Sequence, residues 1–226
     1  MHQNKQHFCS LLKGRLSLIA VALGSAVLLQ GCVLAPIVVG GAAIGTASVM
    51  TDRRSAGTIV NDQVLESRVV YEINRVLGEK NHHITATSYE GKVLLTGEVK
   101  TEEARKTAEQ IASRSQDVTA VVNELAVMDP TSLSTRLSDS MLATKVRTAL
   151  FGTEEVQLNQ MKVTVDRGIV YLMGIVTREE ARRAANVAAG VSGVQMVVTV
   201  FNIESEEYIR ERLKNLNNAQ TKTDAS

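Results

Sequence analysis

The stretch GKVLLTGEV, residues 91–99, has a counterpart of the same pattern in GIVYLMGIV, residues 168–176. In both, a glycine opens a run of mainly aliphatic residues and a second glycine follows six positions later. Such a run is typical of a buried β-strand, and a glycine inside it indicates a bulge or a close approach of another backbone. The pairs Glu90-Gly91 and Arg167-Gly168 predict tight hairpin turns before these strands, because glycine readily adopts a positive φ.

The two stretches belong to a longer internal repeat with an offset of 77 residues. The other residues matched at this offset are Asp62, Leu65, Val69 and Glu102–Arg105 in the first copy, and Asp139, Leu142, Val146 and Glu179–Arg182 in the second. A valine-rich segment at 118–127 then matches 194–203 at an offset of 76. The predicted fold is α+β, with two tandem units that each pack two helices on a three-stranded mixed sheet in the order αββαβ.

Helix starts are also predicted by the repeat. Asp62 and Asp139 are expected to be N-caps, since aspartate is favoured there, and the apolar residues behind them recur every four positions along one helix face. Thr101 and Thr177 are expected to begin the second helices. The glutamate pairs at 102–103 and 179–180 then fall where the helix dipole favours negative charge.

Residues 1–31 are predicted to be an export signal. A positively charged start without acidic residues precedes an apolar run at 16–29. The run ends in LQGC, which resembles the lipobox of bacterial lipoproteins and implies cleavage before Cys32 and acylation of its thiol. Val33 in place of an aspartate favours the periplasmic face of the outer membrane. The alternative is a transmembrane helix within residues 16–50, which are long enough to span a bilayer, although glycines and Pro36 interrupt them.

Cleavage would leave 195 residues with 22 basic and 24 acidic side chains. A nucleic-acid partner is therefore not expected, because nucleic-acid binders normally carry a strongly basic face. Cys9 would leave with the signal and Cys32 would carry lipid, so that the folded part would rely on its apolar core without a disulfide.

The repeat resembles the BON domain, a small module of bacterial envelope proteins. The resemblance rests on the spaced Gly-x-Val-x-Leu-x-Gly-x-Val element, the helix after it and the closing valine-rich strand. With the lipobox, the chain is similar to dual-BON outer-membrane lipoproteins. The expected segments are a signal peptide at 1–31, a lipidated N-terminus and tether at 32–61, BON domains at 62–128 and 139–203, a linker at 129–138 and a tail at 204–226.

Enzymatic chemistry is not predicted. Adjacent His82 and His83 should point in opposite directions on a strand, so they do not suggest a chelating pair, and no metal or cofactor is expected. The repeated glutamate pairs are explained by helix electrostatics, and no nucleophile stands in a recognisable arrangement with a base and an orienting acid.

The resemblance implies binding of anionic phospholipid by the second BON domain, together with a role in outer-membrane integrity and at the division site. A helical projection of residues 139–151 supports such a surface, since apolar and cationic residues share its outer arc without an acid. The expected lipid-contacting residues are Met141, Leu142, Thr144, Lys145, Arg147, Thr148 and Phe151. The equivalent helix of the first unit carries Val64 and Tyr71 outside, with Glu66 and Glu72 expected to cancel its positive charge.

Three alternatives stay open at this point. Phe151 could fold back over the core where the helix ends, which would remove it from the surface. The BON domains could instead serve as an adaptor that binds envelope or division proteins. The tail contains Ile209, Leu213 and Leu216 at helical spacing. It is expected to form a short helix packed on the second unit, or alternatively to bind a partner, with residues 217–226 disordered.

Overall fold

The computed structural model describes residues 52–78, 82–153 and 160–224. The predicted signal peptide, Cys32 and the tether up to residue 51 lie outside them. The first repeat forms α1 (Ala56–Leu77), β1 (His82–Tyr89), β2 (Lys92–Val99), α2 (Glu102–Arg114), β3 (Ala120–Asn123) and β4 (Ala126–Val127). The second forms α3 (Leu133–Phe151), β5 (Met161–Asp166), β6 (Ile169–Val176), α4 (Arg178–Ala189) and β7 (Met196–Ile203), followed by the tail helix α5 (Glu206–Asp224).

Each repeat builds one mixed sheet with its hairpin and the strand after its second helix. β1 and β5 pair antiparallel with β2 and β6 across the hairpin turns. The last strand returns parallel to the central one, as β3 and β4 along β2 and as β7 along β6. The last strand is therefore an edge strand, and the predicted α+β fold is confirmed.

The hairpin turns follow the sequence prediction. Glu90 and Gly91 have φ of 53° and 75°, and Arg167 and Gly168 have φ of 50° and 73°. Two consecutive positive φ angles are the signature of a two-residue type I′ turn, whose twist matches that of the flanking strands.

The repeated glycines inside β2 and β6 bring two backbones together. A methyl group on Gly97 would overlap the carbonyl oxygen of His83, and one on Gly174 would lie 2.5 Å from the carbonyl oxygen of Gln160. Gly97 also has φ of 117°. The predicted close approach of another backbone is thus confirmed in both domains.

The predicted positions of the first N-caps are wrong. α1 begins at Ala56 behind Ser55, and α3 begins at Leu133 behind Ser132, so both N-caps lie seven residues earlier than expected. Asp62 and Asp139 are buried inside these helices. Asp139 accepts hydrogen bonds from the amides of Arg167 and Gly168, both at 2.9 Å. Each aspartate therefore holds the hairpin turn of its own domain instead of a helix start.

The second helices begin where the sequence predicts. Thr101 accepts a hydrogen bond from the amide of Ala104, and Thr177 accepts one from the amide of Glu180. The Glu180 carboxylate also accepts a hydrogen bond from the Thr177 amide, which completes a capping box. The glutamate pairs lie in the first helical turn, as expected from the helix dipole.

Each domain has its own apolar core under its helices. Leu65, Val69 and Ile73 of α1 pack on the first sheet, together with residues of α2. The corresponding stripe of α3 packs on the second sheet, and its members are Leu142, Val146 and Leu150. The predicted buried stripes are therefore confirmed.

A third apolar cluster joins the two domains. It combines Tyr89 and Leu94 of the first sheet with Tyr171, Met173, Ile175 and Val200 of the second, and Ile209 of the tail helix. Lys162 adds an ion pair to Glu66 of the other domain at 2.6 Å. The tail helix thus packs on both domains, and it extends beyond residue 217, where disorder was expected.

A short segment before α1 is fixed to the same junction. The buried guanidinium of Arg53 donates to both carboxylate oxygens of Glu180 at 2.7 and 2.8 Å, and to the carbonyl of Ile175 at 2.6 Å. Arg54 lies over the ring of Tyr89, 4.2 Å from its centroid, and pairs with Asp62. The last residues of the predicted tether are therefore part of the folded structure.

Candidate membrane-facing surface

The helix α3 divides into a buried face and a solvent-exposed face. Its buried side chains pack under the second sheet, and they are Asp139, Leu142, Ala143, Val146 and Leu150. At about 100° per residue, the opposite arc holds none of these residues. The exposed arc therefore contributes no residue to the buried core of the second domain.

Most residues of the predicted lipid surface lie on this exposed arc. Met141 and Phe151 are 65% and 68% exposed, and Thr144, Lys145, Arg147 and Thr148 are exposed as well. Phe151 does not fold back over the core, so that alternative is wrong. Leu142 is only 7% exposed and belongs to the apolar core. Its inclusion in the lipid surface is wrong, because it lies on the face of α3 that the sheet covers.

Two apolar residues of the surface were missed in the sequence. Leu133 and Leu137 are 66% and 58% exposed. They were overlooked because the helix was expected to begin at Asp139. A signal was present, since Ser132 is a good N-cap residue and Leu133, Leu137 and Met141 are spaced by four.

These residues form one continuous strip along the whole helix, which we call the α3 strip. Its members are Leu133, Leu137, Met141, Thr144, Thr148 and Phe151. They fall within an arc of about 80° at 100° per residue. A helix of 19 residues is about 28 Å long, so the α3 strip could lie flat along a membrane surface.

The two threonines of the α3 strip do not interrupt its apolar character. Thr144 donates its hydroxyl proton to the carbonyl of Ser140 at 3.1 Å, and Thr148 donates to the carbonyl of Thr144 at 3.0 Å. A hydroxyl group that donates a hydrogen bond to a carbonyl of its own helix needs fewer hydrogen-bond partners outside the helix. Their methyl groups then remain available for apolar contact.

Unpaired positive charges flank the α3 strip. Lys145 lies on one side, and Arg136 and Arg147 lie on the other. None of the three forms an ion pair with a described residue. Asp139 is the only acid within Leu133–Phe151, and it is buried on the opposite side. The exposed face of α3 is therefore apolar in the middle and cationic at both margins.

The equivalent helix of the first domain also has exposed apolar residues, including Val60, Val64 and Tyr71. Its charges are arranged differently. Arg68 lies 3.8 Å from Asp117. Glu66 pairs with Lys162, and Glu72 accepts a hydrogen bond from Ser115. The ion pair of Arg68 is therefore with Asp117, whereas Glu66 and Glu72 contact Lys162 and Ser115.

The two histidines contact different side chains. His82 Nε2 lies 2.8 Å from Asn74 Oδ1, and His83 Nδ1 lies 3.5 Å from the buried carboxylate of Glu98. The two side chains therefore point in different directions, as expected for adjacent residues on a strand. Within residues 52–78, 82–153 and 160–224, no group of three His, Cys, Asp or Glu side chains is placed to hold a metal ion. In the same part of the chain, no helix is both long and apolar enough to cross a bilayer.

Comparisons with known proteins agree with the repeat. The family model of the BON domain matches residues 61–129 and 138–205. The outer membrane lipoprotein DolP of Haemophilus influenzae is 38% identical over 184 residues, which are 81% of this chain and 94% of that protein. The 21 kDa hemolysin of Actinobacillus pleuropneumoniae is 36% identical over 152 residues, which are 67% of this chain and 78% of that protein.

One solved structure with a partial likeness is the C-terminal domain of CdsD, a structural protein of the type III secretion system of Chlamydia trachomatis. The match covers 61% of this chain and 98% of that domain, with 10% sequence identity and a TM-score of 0.27. A likeness of this strength has no bearing on function. The family follows from the sequence comparisons: the chain belongs to the BON-domain family and is a dual-BON relative of DolP.

Proposed function

We propose that the protein is a non-enzymatic outer-membrane lipoprotein that binds anionic phospholipid through the α3 strip of its second BON domain. Acylated Cys32 would hold it on the periplasmic face, where it would contribute to the integrity of the membrane. The observation that carries the proposal is the exposed apolar strip between cations that form no ion pair with a described residue. The name of the relative DolP supports the outer membrane as the location.

The energetics of a peripheral helix favour this function. Each lysine or arginine near an anionic bilayer contributes roughly 1 kcal/mol, and Lys145, Arg136 and Arg147 are available for this interaction. Burial of Leu137, Met141 and Phe151 would add apolar transfer free energy of about 25 cal/mol per Å². The lipid anchor would keep the domain near the membrane, so that even a weak individual contact becomes populated.

The anchor is tested by the substitution Cys32→Ala in the full-length precursor. The variant should stay uncleaved after Gly31 and unacylated, since a thioether requires the thiol. Metabolic labelling with palmitate measures the outcome, with the unaltered chain as the control. Incorporation of label into the variant would rule out Cys32 as the lipidated residue.

Phospholipid binding is tested on residues 52–226 with vesicles of phosphatidylglycerol. The double variant Met141→Glu, Phe151→Glu should lose binding, because two carboxylates would enter the apolar strip. Circular dichroism should not change, since both side chains are exposed. The matched control Val64→Glu, Tyr71→Glu alters two exposed residues of α1 and should bind almost normally. Loss of binding in the control alone would assign the lipid surface to the first domain.

An adaptor function is the competing explanation. In that case the lipid anchor only holds the BON domains in the periplasm, where they bind envelope or division proteins. Unaltered residues 52–226 would then fail to bind phosphatidylglycerol vesicles. The exposed α3 strip favours lipid over this alternative, because cations at both margins match an anionic interface.

A further inference from the structure

A cleft of about 470 Å³ lies beside α3, between the two domains. One wall is formed by α3 with Arg136, Ser140 and Arg147. The other walls come from Thr164 on β5 and from Thr85 and Thr96 on the first sheet. At 100° per residue, the three α3 residues lie within about 60° of the edge of the α3 strip. The cleft therefore opens next to the proposed lipid surface.

The cleft contains positive charge that is not neutralised by the described residues. Arg136 makes no ion pair with them, and its buried Nε has no hydrogen-bond partner among them. Arg147 donates one hydrogen bond to the carbonyl of Val163 at 2.6 Å and makes no ion pair with a described residue. A buried donor without a partner is costly, so an external acceptor at Arg136 would be stabilised.

Two carboxylates, those of Asp139 and Asp166, line the cleft, and both have internal partners. Asp139 accepts hydrogen bonds from the two backbone amides of the hairpin turn. Asp166 lies 3.1 Å from the guanidinium of Arg167. These contacts reduce the repulsion that an anion would meet. Arg136 and Arg147 are the two guanidinium groups of the cleft wall, and neither forms an ion pair with a described residue.

Hydroxyl groups line the space between the two arginines. Ser140 donates its proton to the carbonyl of Arg136 at 3.0 Å, and Thr144 donates to that of Ser140. Both oxygens can still accept a hydrogen bond from a ligand hydroxyl. Arg136 and Arg147 are separated by three helical turns, about 16 Å along the axis, so the cleft is long enough for a phosphate and an attached polyol.

We propose that this cleft binds the glycerophosphate headgroup of an anionic phospholipid. Arg136 would bind the phosphate oxygens, and Arg147 and the hydroxyl groups would bind the glycerol, while the α3 strip contacts the acyl region. The inference rests on the proposed function and deepens it. It assigns the headgroup a site of its own, separate from the apolar contact.

The test uses the mature acylated protein in a non-ionic detergent, labelled with ¹⁵N. The probe is glycerophosphoglycerol, the deacylated headgroup of phosphatidylglycerol, because it cannot occupy the α3 strip. Amide shifts are expected at Thr85, Thr96 and Thr164. The variant Arg136→Gln, Arg147→Gln should weaken binding of the probe about tenfold, since charge-assisted bonds to phosphate are lost. The single variant Arg136→Gln removes no side-chain hydrogen bond to a described residue and should weaken binding in the same direction.

Two control variants distinguish binding in the cleft from binding along the α3 strip. Lys145→Gln removes one charge from the other margin of α3. It should leave the probe shifts unchanged and, in residues 52–226 without the lipid anchor, weaken binding to phosphatidylglycerol vesicles. Met141→Glu with Phe151→Glu should abolish vesicle binding by residues 52–226 and leave the probe shifts in place. Both controls change α3 without changing the cleft walls.

Each contrary outcome has a distinct meaning. Vesicle binding by unaltered residues 52–226 without probe shifts at the cleft would overturn the headgroup site and leave the proposed function intact. Equal affinity for inorganic phosphate would assign a free-phosphate site and overturn the lipid assignment. Probe shifts without vesicle binding would contradict the α3 strip and support the cleft alone.

Discussion

The hydroxyl groups of Thr87 and Thr164 lie 3.1 Å apart, and the two residues are equivalents in the repeat, 77 positions from each other. A residue can meet its own equivalent only near an axis that relates the two copies. Leu94 and Tyr171 are equivalents as well, and both belong to the apolar cluster between the domains. The two BON domains therefore face each other about an approximate twofold axis and share one interface.

This shared interface predicts that neither domain reaches its full stability alone. Deletion of residues 52–128 would expose Tyr171, Met173 and Ile175, which are buried in the intact protein. A unit of this size buries only a modest fraction of its surface. The remaining second domain should melt at a lower temperature than residues 52–226. An unchanged melting curve for the isolated domain would mean that the domains are independent.

The two buried aspartates predict unequal effects of the same substitution. Asp62 accepts hydrogen bonds from Ser88 and the amides of Glu90 and Gly91, and it pairs with Arg54. Asp139 is held by two turn amides. Asp62→Ala should therefore cost about 3–5 kcal/mol, because a buried cation loses a partner, and Asp139→Ala about 1–3 kcal/mol. Urea unfolding of the two variants measures the difference, and equal losses would contradict the role of Arg54.

Asp62 also predicts how stability depends on pH. Burial of its carboxylate would raise the pKa, but hydrogen bonds from Ser88, Gly91, Glu90 and Arg54 outweigh burial and hold the pKa below its ordinary value. The stabilisation contributed by the Asp62 carboxylate is therefore complete above the pKa of this group in the unfolded chain, which is about 4. It is lost as the pH falls through the lower pKa of the same group in the folded protein. The free energy of unfolding should decline from about pH 4 downward. The variant Asp62→Asn should show a shallower decline, and an identical slope would exclude Asp62 as its source.

The features that the sequence predicts correctly are those determined by residues adjacent in the chain. The hairpin turns at Gly91 and Gly168 and the caps at Thr101 and Thr177 were all correctly placed, because a few adjacent residues determine them. The starts of α1 and α3 were misplaced for a physical reason. An aspartate accepts amide hydrogen bonds equally well at a helix N-terminus and at a distant turn, so its residue type does not reveal which amides it binds.

The parts of the site that the sequence did not reveal depend on contacts across the domains. The cleft beside Arg136 exists because the first sheet contributes Thr85 and Thr96 to its walls. The burial of Arg53 depends on Glu180, 127 positions away. Periodicity within one repeat contains no information on either contact. The position of Lys145, Thr148 and Phe151 on the exposed side of α3, in contrast, follows from helical periodicity alone.

Because another backbone lies close to Gly97, alanine substitution is expected to lower stability at Gly97 and to raise it at Gly57. Gly97→Ala would place a methyl group against the carbonyl of His83 at a φ of 117°, and we expect a loss of about 2–5 kcal/mol. Gly57→Ala in α1 meets only Ser55, at 3.8 Å, and should raise stability by about 0.5–1 kcal/mol. Thermal unfolding compares the two variants. A tolerated Gly97→Ala would show that β1 can move away from β2 at this point.

Because α3 begins at Leu133, the N-terminal half of the helix is expected to contact the membrane together with its C-terminal half. Leu137 lies on the α3 strip one turn before Met141 and outside the segment that the sequence had indicated. If α3 lies flat on the bilayer, Leu137→Glu should weaken binding to phosphatidylglycerol vesicles about tenfold, because an apolar side chain worth about 1.5–3 kcal/mol on burial is replaced by an anion. Val76→Glu on α1, also an exposed apolar position, serves as the control and should bind normally. Co-sedimentation with vesicles measures both. Normal binding by Leu137→Glu together with loss in Met141→Glu would mean that only the C-terminal half of α3 touches lipid, with the helix tilted away from the surface.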